Sequence, residues 1–238
     1  MRRTITATAT IMAEAQKSLV RLQAWLSPAF PVGAFAYSHG LEQAICDGLV
    51  KDRTSLVDWL DTLLSHGSVW NDAVLLAEAW RRVVAGEDVA EIAALAEAMA
   101  GTRERHMETT LQGAAFGEAV EAWGGTADDK ATGPLPRSDR CPYPVAVAIA
   151  AARHGISLEP TLAAWLHGFT ANLVQTAIRL VPLGQRDGTA ALALLEPTVL
   201  EIVSRAGAST LDDLGSCTIV SDILSMRHET LYSRVFRS

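Results

Sequence analysis

Hydrophobic residues recur at helical spacing along almost the whole chain, and no useful stretch alternates in the two-residue rhythm of a strand. Leu56, Leu60, Leu63 and Leu64 stand at i, i+4, i+7 and i+8, and Leu76, Trp80, Val83 and Val84 repeat the pattern. Side chains three and four apart share one helix face, so each stripe must be buried against a neighbouring element. Leu19, Leu22, Trp25 and Leu26 form another stripe, stopped by Ser27-Pro28, and Ile92, Leu95, Ala96 and Met99 a further one, closed by Gly101. Met107, Leu111, Ala114 and Ala115 open a helix that ends near Gly124-Gly125. Ser55 with Asp58 and Thr210 with Asp213 have the spacing of capping boxes, the second opening the last long helix. The 39 alanines, the best helix former, push the same way. The sequence therefore predicts an all-α fold, a single globular bundle of about 8–10 helices with flexible N- and C-terminal segments.

The expected boundaries are a lead-in over residues 1–17, a helical domain over 18–227 and a tail over 228–238. The clearest loop runs from Gly124 to Pro144, with Gly-Gly, Asp-Asp, Gly-Pro and three further prolines. Two domains meeting at that loop fit the pattern, but one bundle with a long connection is simpler. The stretch Pro160–Ile178 has 19 residues without Asp, Glu, Lys or Arg, near the ~20 that span a bilayer. His167, Asn172 and Gln175 lie within it, so a buried core helix is expected and not a membrane span.

The 238 residues carry a net charge of −7, and no nucleic-acid partner is expected of such a surface. Cys46, Cys141 and Cys217 are odd in number and widely spaced, which fits a reducing compartment, and a cytoplasmic location is expected. Arg2 and Arg3 precede no continuous apolar run of the secretory kind. No P-loop surrounds Lys17, Lys51 or Lys130, and no Gly-x-Gly-x-x-Gly or Gly-x-Ser-x-Gly occurs. His228-Glu229 begins like a zinc motif, but Tyr232 stands where the second histidine belongs. His39, His66, His106, His154, His167 and His228 show no ligand spacing, so no metal and no cofactor is expected.

Three segments carry more information. In Trp25–Glu42, two prolines and two glycines interrupt a dense run of aromatics before a helix expected to begin near Ala34. Tyr37 and Leu41, and likewise Ser38 and Glu42, then lie a turn apart, and His39 with Glu42 shares a helix face as an acid–base pair would. Core-filling aromatics account for this segment equally simply. In Ser225–Ser238, Leu231, Tyr232, Val235 and Phe236 fall on one face of a helix, and Arg227, Arg234 and Arg237 face Glu229 alone. Arginine with aromatics is the composition of protein interfaces. The residues leave open a docking tail, disordered alone and ordered in a complex, and a tail folded back on its own domain. The third segment, Arg179–Gly188, ends a long helix in Pro182-Leu183-Gly184, for which a helix stop suffices.

Together these segments resemble the UreF family. The likeness lies in Trp25-Leu26-Ser27-Pro28, Phe30-Pro31-Val32-Gly33-Ala34-Phe35 and Tyr37-Ser38-His39-Gly40-Leu41-Glu42. It continues in Arg179-Leu180-Val181-Pro182-Leu183-Gly184-Gln185 and in Ser225-Met226-Arg227-His228-Glu229-Thr230, Tyr232-Ser233-Arg234 and Phe236-Arg237-Ser238. Ala36 stands where the family pattern has Ser, and Leu231 where it has Gln. The resemblance implies an all-α, non-enzymatic homodimer that binds a UreD-type (UreH-type) accessory protein. With it, the chain would recruit the GTPase UreG and act on apo-urease in nickel insertion. Arg227, His228, Glu229, Tyr232, Arg234 and Phe236 are the expected partner-binding residues, with Phe30, Tyr37, Ser38, His39 and Glu42 supporting them or facing a partner. The alternatives are a helical small-molecule enzyme built on His39 and Glu42, and an unrelated helical adaptor.

Overall fold

A computed structural model describes residues 2–123 and 141–238, the stretch 2–11 as backbone alone. The described residues form ten α-helices and no strand. These are α1 (Arg2–Trp25), α2 (Leu41–Cys46), α3 (Arg53–His66), α4 (Ser68–Ala85), α5 (Ala90–Ala98), α6 (Arg103–Trp123), α7 (Tyr143–Arg153), α8 (Leu158–Leu180), α9 (Gln185–Ala208) and α10 (Ile219–His228). One core joins them: α4 packs on α7, α8 on α9, α7 on α6 and α3 on α9. The expected stripes Leu56, Leu60, Leu63 and Leu64 are all buried there, as are Leu162, Leu166 and Leu173 of α8. Among the described residues no helix is long and apolar enough to cross a membrane. The expected lead-in belongs to α1, whose side chains at 12–17 are exposed. Most of the expected loop, 124–140, lies outside the described residues, and Tyr143 and Pro144 already belong to α7.

Local chemistry departs from the sequence reading in four places. The box at the start of α3 lies three residues earlier: Asp52 accepts from the Ser55 N–H at 2.9 Å, and the Ser55 hydroxyl answers the Asp52 backbone. An aspartate directly ahead of the helix reaches N3 as well as a serine would, and only one residue can hold the cap. Thr210 and Asp213 do form a box, but it opens a single 3-10 turn, Leu211–Asp213, and the last helix, α10, starts at Ile219. Helix α6 turns polar residues inward: Glu104, Glu108, Thr109 and Gln112 are buried, while Leu111 is 47% exposed. Its expected apolar stripe is therefore not its core face. Finally, no helix begins at Ala34. Ala34–Ala36 is one 3-10 turn, Tyr37 is extended, and His39 and Gly40 both take left-handed backbone before α2.

Candidate functional site

Gly40 explains how α2 and α10 come together. Its φ of +77° is a conformation that L side chains rarely adopt, and a Cβ there would sit 3.2 Å from the Ser225 backbone nitrogen. The bare glycine lets α10 rest on the entry to α2. Thr102, just before α6, meets Ser225 through their hydroxyls at 3.0 Å. Helix α10 is thus held between α2 and α6, and its last residue, His228, is fully buried between a carboxylate from each.

Those carboxylates do most of the fastening. Glu42 Oε2 lies 3.0 Å from His228 Nε2, and Glu104 Oε2 lies 2.8 Å from His228 Nδ1. Glu42 also accepts the backbone N–H of Val235 at 2.7 Å and of Phe236 at 2.9 Å. Arg234 donates to Glu104 at 2.7 Å, and Glu229 accepts the Arg103 N–H at the start of α6 at 3.1 Å. Burial raises the Glu104 carboxyl above its ordinary value, against the pull of His228 and Arg234. Arg227 forms a two-pronged pair with Asp47 at the end of α2.

Beyond α10 the Thr230 and Leu231 N–H groups still reach the Arg227 and His228 carbonyls in a closing turn, but the chain then leaves helical form and the Val235 and Phe236 N–H groups go to Glu42. The expected helix face over 231–236 therefore does not form: Phe236 and Ser238 point in, whereas Val235 and Arg237 point out. Ser38 donates its N–H, at 2.6 Å, and its hydroxyl to the Ser238 carbonyl, and Arg237 donates its N–H to Ala36 at 2.7 Å. The Arg179 guanidinium lies 4.5 Å above the Phe236 ring and also reaches the Phe35 carbonyl at 3.3 Å. Asn172 of α8 holds the Ala34 carbonyl at 3.0 Å. All three segments singled out in the sequence meet here, and the tail is folded back on its own bundle.

A second buried charge group adjoins the first. Arg105 pairs with Asp72 at 2.9 Å and with Glu108 at 3.0 Å, and Ser238 donates its hydroxyl to Glu108 at 3.2 Å. His39 stands 3.6 Å from Glu108 through Nδ1 and 2.8 Å from the Ser68 hydroxyl through Nε2. Burial pushes the Glu108 carboxyl up, but Arg105 and His39 outweigh it and hold it at about 2. Asp72, partly buried and facing Glu108, is pushed up to about 6 by desolvation despite Arg105. Burial and then Arg105 lower His39. Two clefts, of about 170 and 280 Å³, share Asp72, Arg105 and Thr109 in their walls.

Phe30, Tyr37, Ser38, His39, Glu42, His228 and Phe236 are thus buried, and Tyr232, Arg227 and Arg234 are exposed. His39 and Glu42 do not share a helix face, since His39 precedes α2 with a φ of +55°. Only His39 lines a cleft, and Glu42 is occupied by the tail, so the acid–base pair is not assembled. Sequence reading missed Glu104, Arg105, Glu108 and Asp72. The spacing of Glu104 and Glu108 one turn apart was the available signal, but charged residues at that spacing are common on solvated faces. Among the described residues no group of three or more His, Cys, Asp or Glu could hold a metal ion.

The fold and the site define a helical scaffold in which Glu42, Glu104 and His228 hold the chain's own tail. Comparison with known proteins identifies its family. A UreF family model matches residues 50–196. The chain is 56% identical over 221 residues to a urease accessory protein UreF of Mesorhizobium japonicum, covering 93% of this chain and 96% of that one. It is 54% identical over 221 residues to a urease accessory protein UreF 1 of Brucella abortus, covering 93% and 94%. The chain belongs to the UreF family.

Proposed function

We propose that the chain serves urease maturation in the cytoplasm as a scaffold. It docks a UreD-type (UreH-type) accessory protein and recruits the GTPase UreG to apo-urease for nickel insertion, working as a homodimer. The observation that carries this reading is the outer face of the fastened tail. Tyr232 is 104% exposed and Val235 61% exposed, beside the half-exposed Arg234, while Glu42, Glu104 and His228 beneath them are hydrogen-bonded within the chain. A tyrosine and an arginine held on a rigid support are what protein interfaces use as anchors, because little side-chain freedom is lost on contact. Ile219, Val220, Ile223 and Met226 of α10 are exposed as well. The residues expected to bind a partner therefore divide into two groups. Tyr232, Arg234 and Arg227 offer contact, and Phe30, Tyr37, Ser38, His39, Glu42, His228, Glu229 and Phe236 hold the surface in shape. Nucleotide chemistry is left to the GTPase, since the sequence has no Walker lysine.

The test mixes the chain with the UreD-type protein, the GTPase and apo-urease, sizes the complexes and assays urease activation. The expected result is a GTPase-containing complex and active urease only when this chain is present. A GTPase that joins the UreD-type protein equally well without it overturns the reading. GTP turnover in the same mixtures decides whether the chain modulates hydrolysis, and sizing the chain alone decides the homodimer.

A further inference from the structure

Glu42, His228 and Glu104 stand in one buried line, with the two ring nitrogens 3.0 and 2.8 Å from the two carboxylates. An ionised carboxylate only accepts hydrogen bonds, and a neutral imidazole has one N–H and one bare lone pair. A neutral ring between two carboxylates would set lone pair against lone pair at one of these contacts. The line therefore holds one proton more than a neutral imidazole and two carboxylates supply. That proton can rest on the ring or on Glu104, and both arrangements satisfy the same contacts. It also closes the charge count: with Arg234, the four groups sum to zero when it is aboard and to −1 in a buried site when it is gone.

We propose that this shared proton is the fastener of the tail. With it, His228 bridges α2 to α6 and Glu42 stays in place to accept the Val235 and Phe236 amides. Without it, the bridge opens and residues 229–238 come away from the bundle, so attachment weakens as pH rises. The other charged groups near the line are already engaged. Asp47 of α2 holds Arg227 of α10, Glu229 caps α6 at Arg103, and Arg105 of α6 is shared by Asp72 of α4 and Glu108. His39, ahead of α2, faces Glu108, Arg179 of α8 lies over Phe236, and Arg237 reaches Tyr37. None of them stands in for the missing donor at His228. The raised Glu104 carboxyl agrees with a proton retained in this line. Any effect on partner binding rests on the proposed function, whereas the attachment itself does not.

The experiment follows amide exchange in the full chain alone from about pH 6 to 10, each rate divided by its intrinsic value at that pH. The expected result is an at least tenfold fall in protection at Val235 and Phe236, with single-proton steepness, while α3 stays protected. Glu104→Gln places an amide N–H against Nδ1 and an amide oxygen toward Arg234, so a neutral His228 is satisfied without the extra proton. In that variant, tail protection should remain flat across the same range. Flat protection in the wild type, loss of α3 protection in parallel, or an unchanged step in Glu104→Gln each overturns the proposal. Should Glu104→Gln not fold, the wild-type profile alone decides.

Discussion

Replacing Glu42 by alanine removes the acceptor for three donors at once: the Val235 and Phe236 amides and the His228 ring. Hydrogen bonds to a charged group contribute about 1.5–3 kcal/mol each, so keeping the tail in place without the carboxylate would cost about 5–9 kcal/mol. The chain has a cheaper route, because the tail can leave and rehydrate its own donors. Leaving forfeits the burial of Phe236, about 1.5–3 kcal/mol, and the Ser38 to Ser238 bonds at about 1 kcal/mol each. The contact of Arg179 with the Phe236 ring adds about 0.5–1 kcal/mol. Because the tail also regains its chain entropy on leaving, the loss in global stability stays below the full cost of retention, and a loss of at least about 1 kcal/mol is expected. Urea denaturation of wild type and Glu42→Ala measures that loss, and amide exchange shows where it falls. A change below about 1 kcal/mol, with Val235 and Phe236 still protected, would refute the fastening role of this carboxylate.

Three further outcomes follow from the same geometry. Phe236→Ala should cost about 2–4 kcal/mol, less than a central core phenylalanine because the tail can readjust, and should expose tail amides without unfolding α3. Gly40→Ala meets both a left-handed backbone and the Ser225 main chain, so a loss of at least about 1–2 kcal/mol is expected in thermal or urea melts. The pair Asp72 and Glu108 gives opposite pH signatures. Glu108, held at about 2 in the fold against an ordinary 4.5, contributes stability above pH 4.5 that is lost as pH falls toward 2, so the deficit of Glu108→Gln should shrink over that range. Asp72, at about 6 in the fold against 3.8, does the reverse: its ionisation weakens the fold as pH rises from 4 to 6, and Asp72→Asn should abolish that step in urea melts run at each pH.

The helices were legible because their apolar stripes are long and regular, as at Leu56–Leu64 and Leu162–Leu173. The polar inner face of α6 was not, since Glu104, Arg105 and Glu108 look in sequence like any solvated charge run. Their partners arrive from residues 39, 72, 228, 234 and 238, far away along the chain. The tail was read with the wrong period for the same reason. Its spacing at 231–236 fits a helix, but the Val235 and Phe236 amides are taken by one glutamate about 190 residues upstream, and the chain bends away from helical form. The three family-like segments were visible as unusual sequence, and their convergence at one end of α10 was not.

Partner docking through the outer face of the fastened tail is tested most directly by the dissociation constant for the UreD-type protein. Calorimetry should compare wild type with the double variant Tyr232→Ala/Val235→Ala, whose substitutions touch only exposed side chains. An anchor tyrosine is worth about 2 kcal/mol or more, so affinity should fall at least about 30-fold while amide protection of the tail is kept. Unchanged affinity in a variant that keeps its tail fastened would contradict the account.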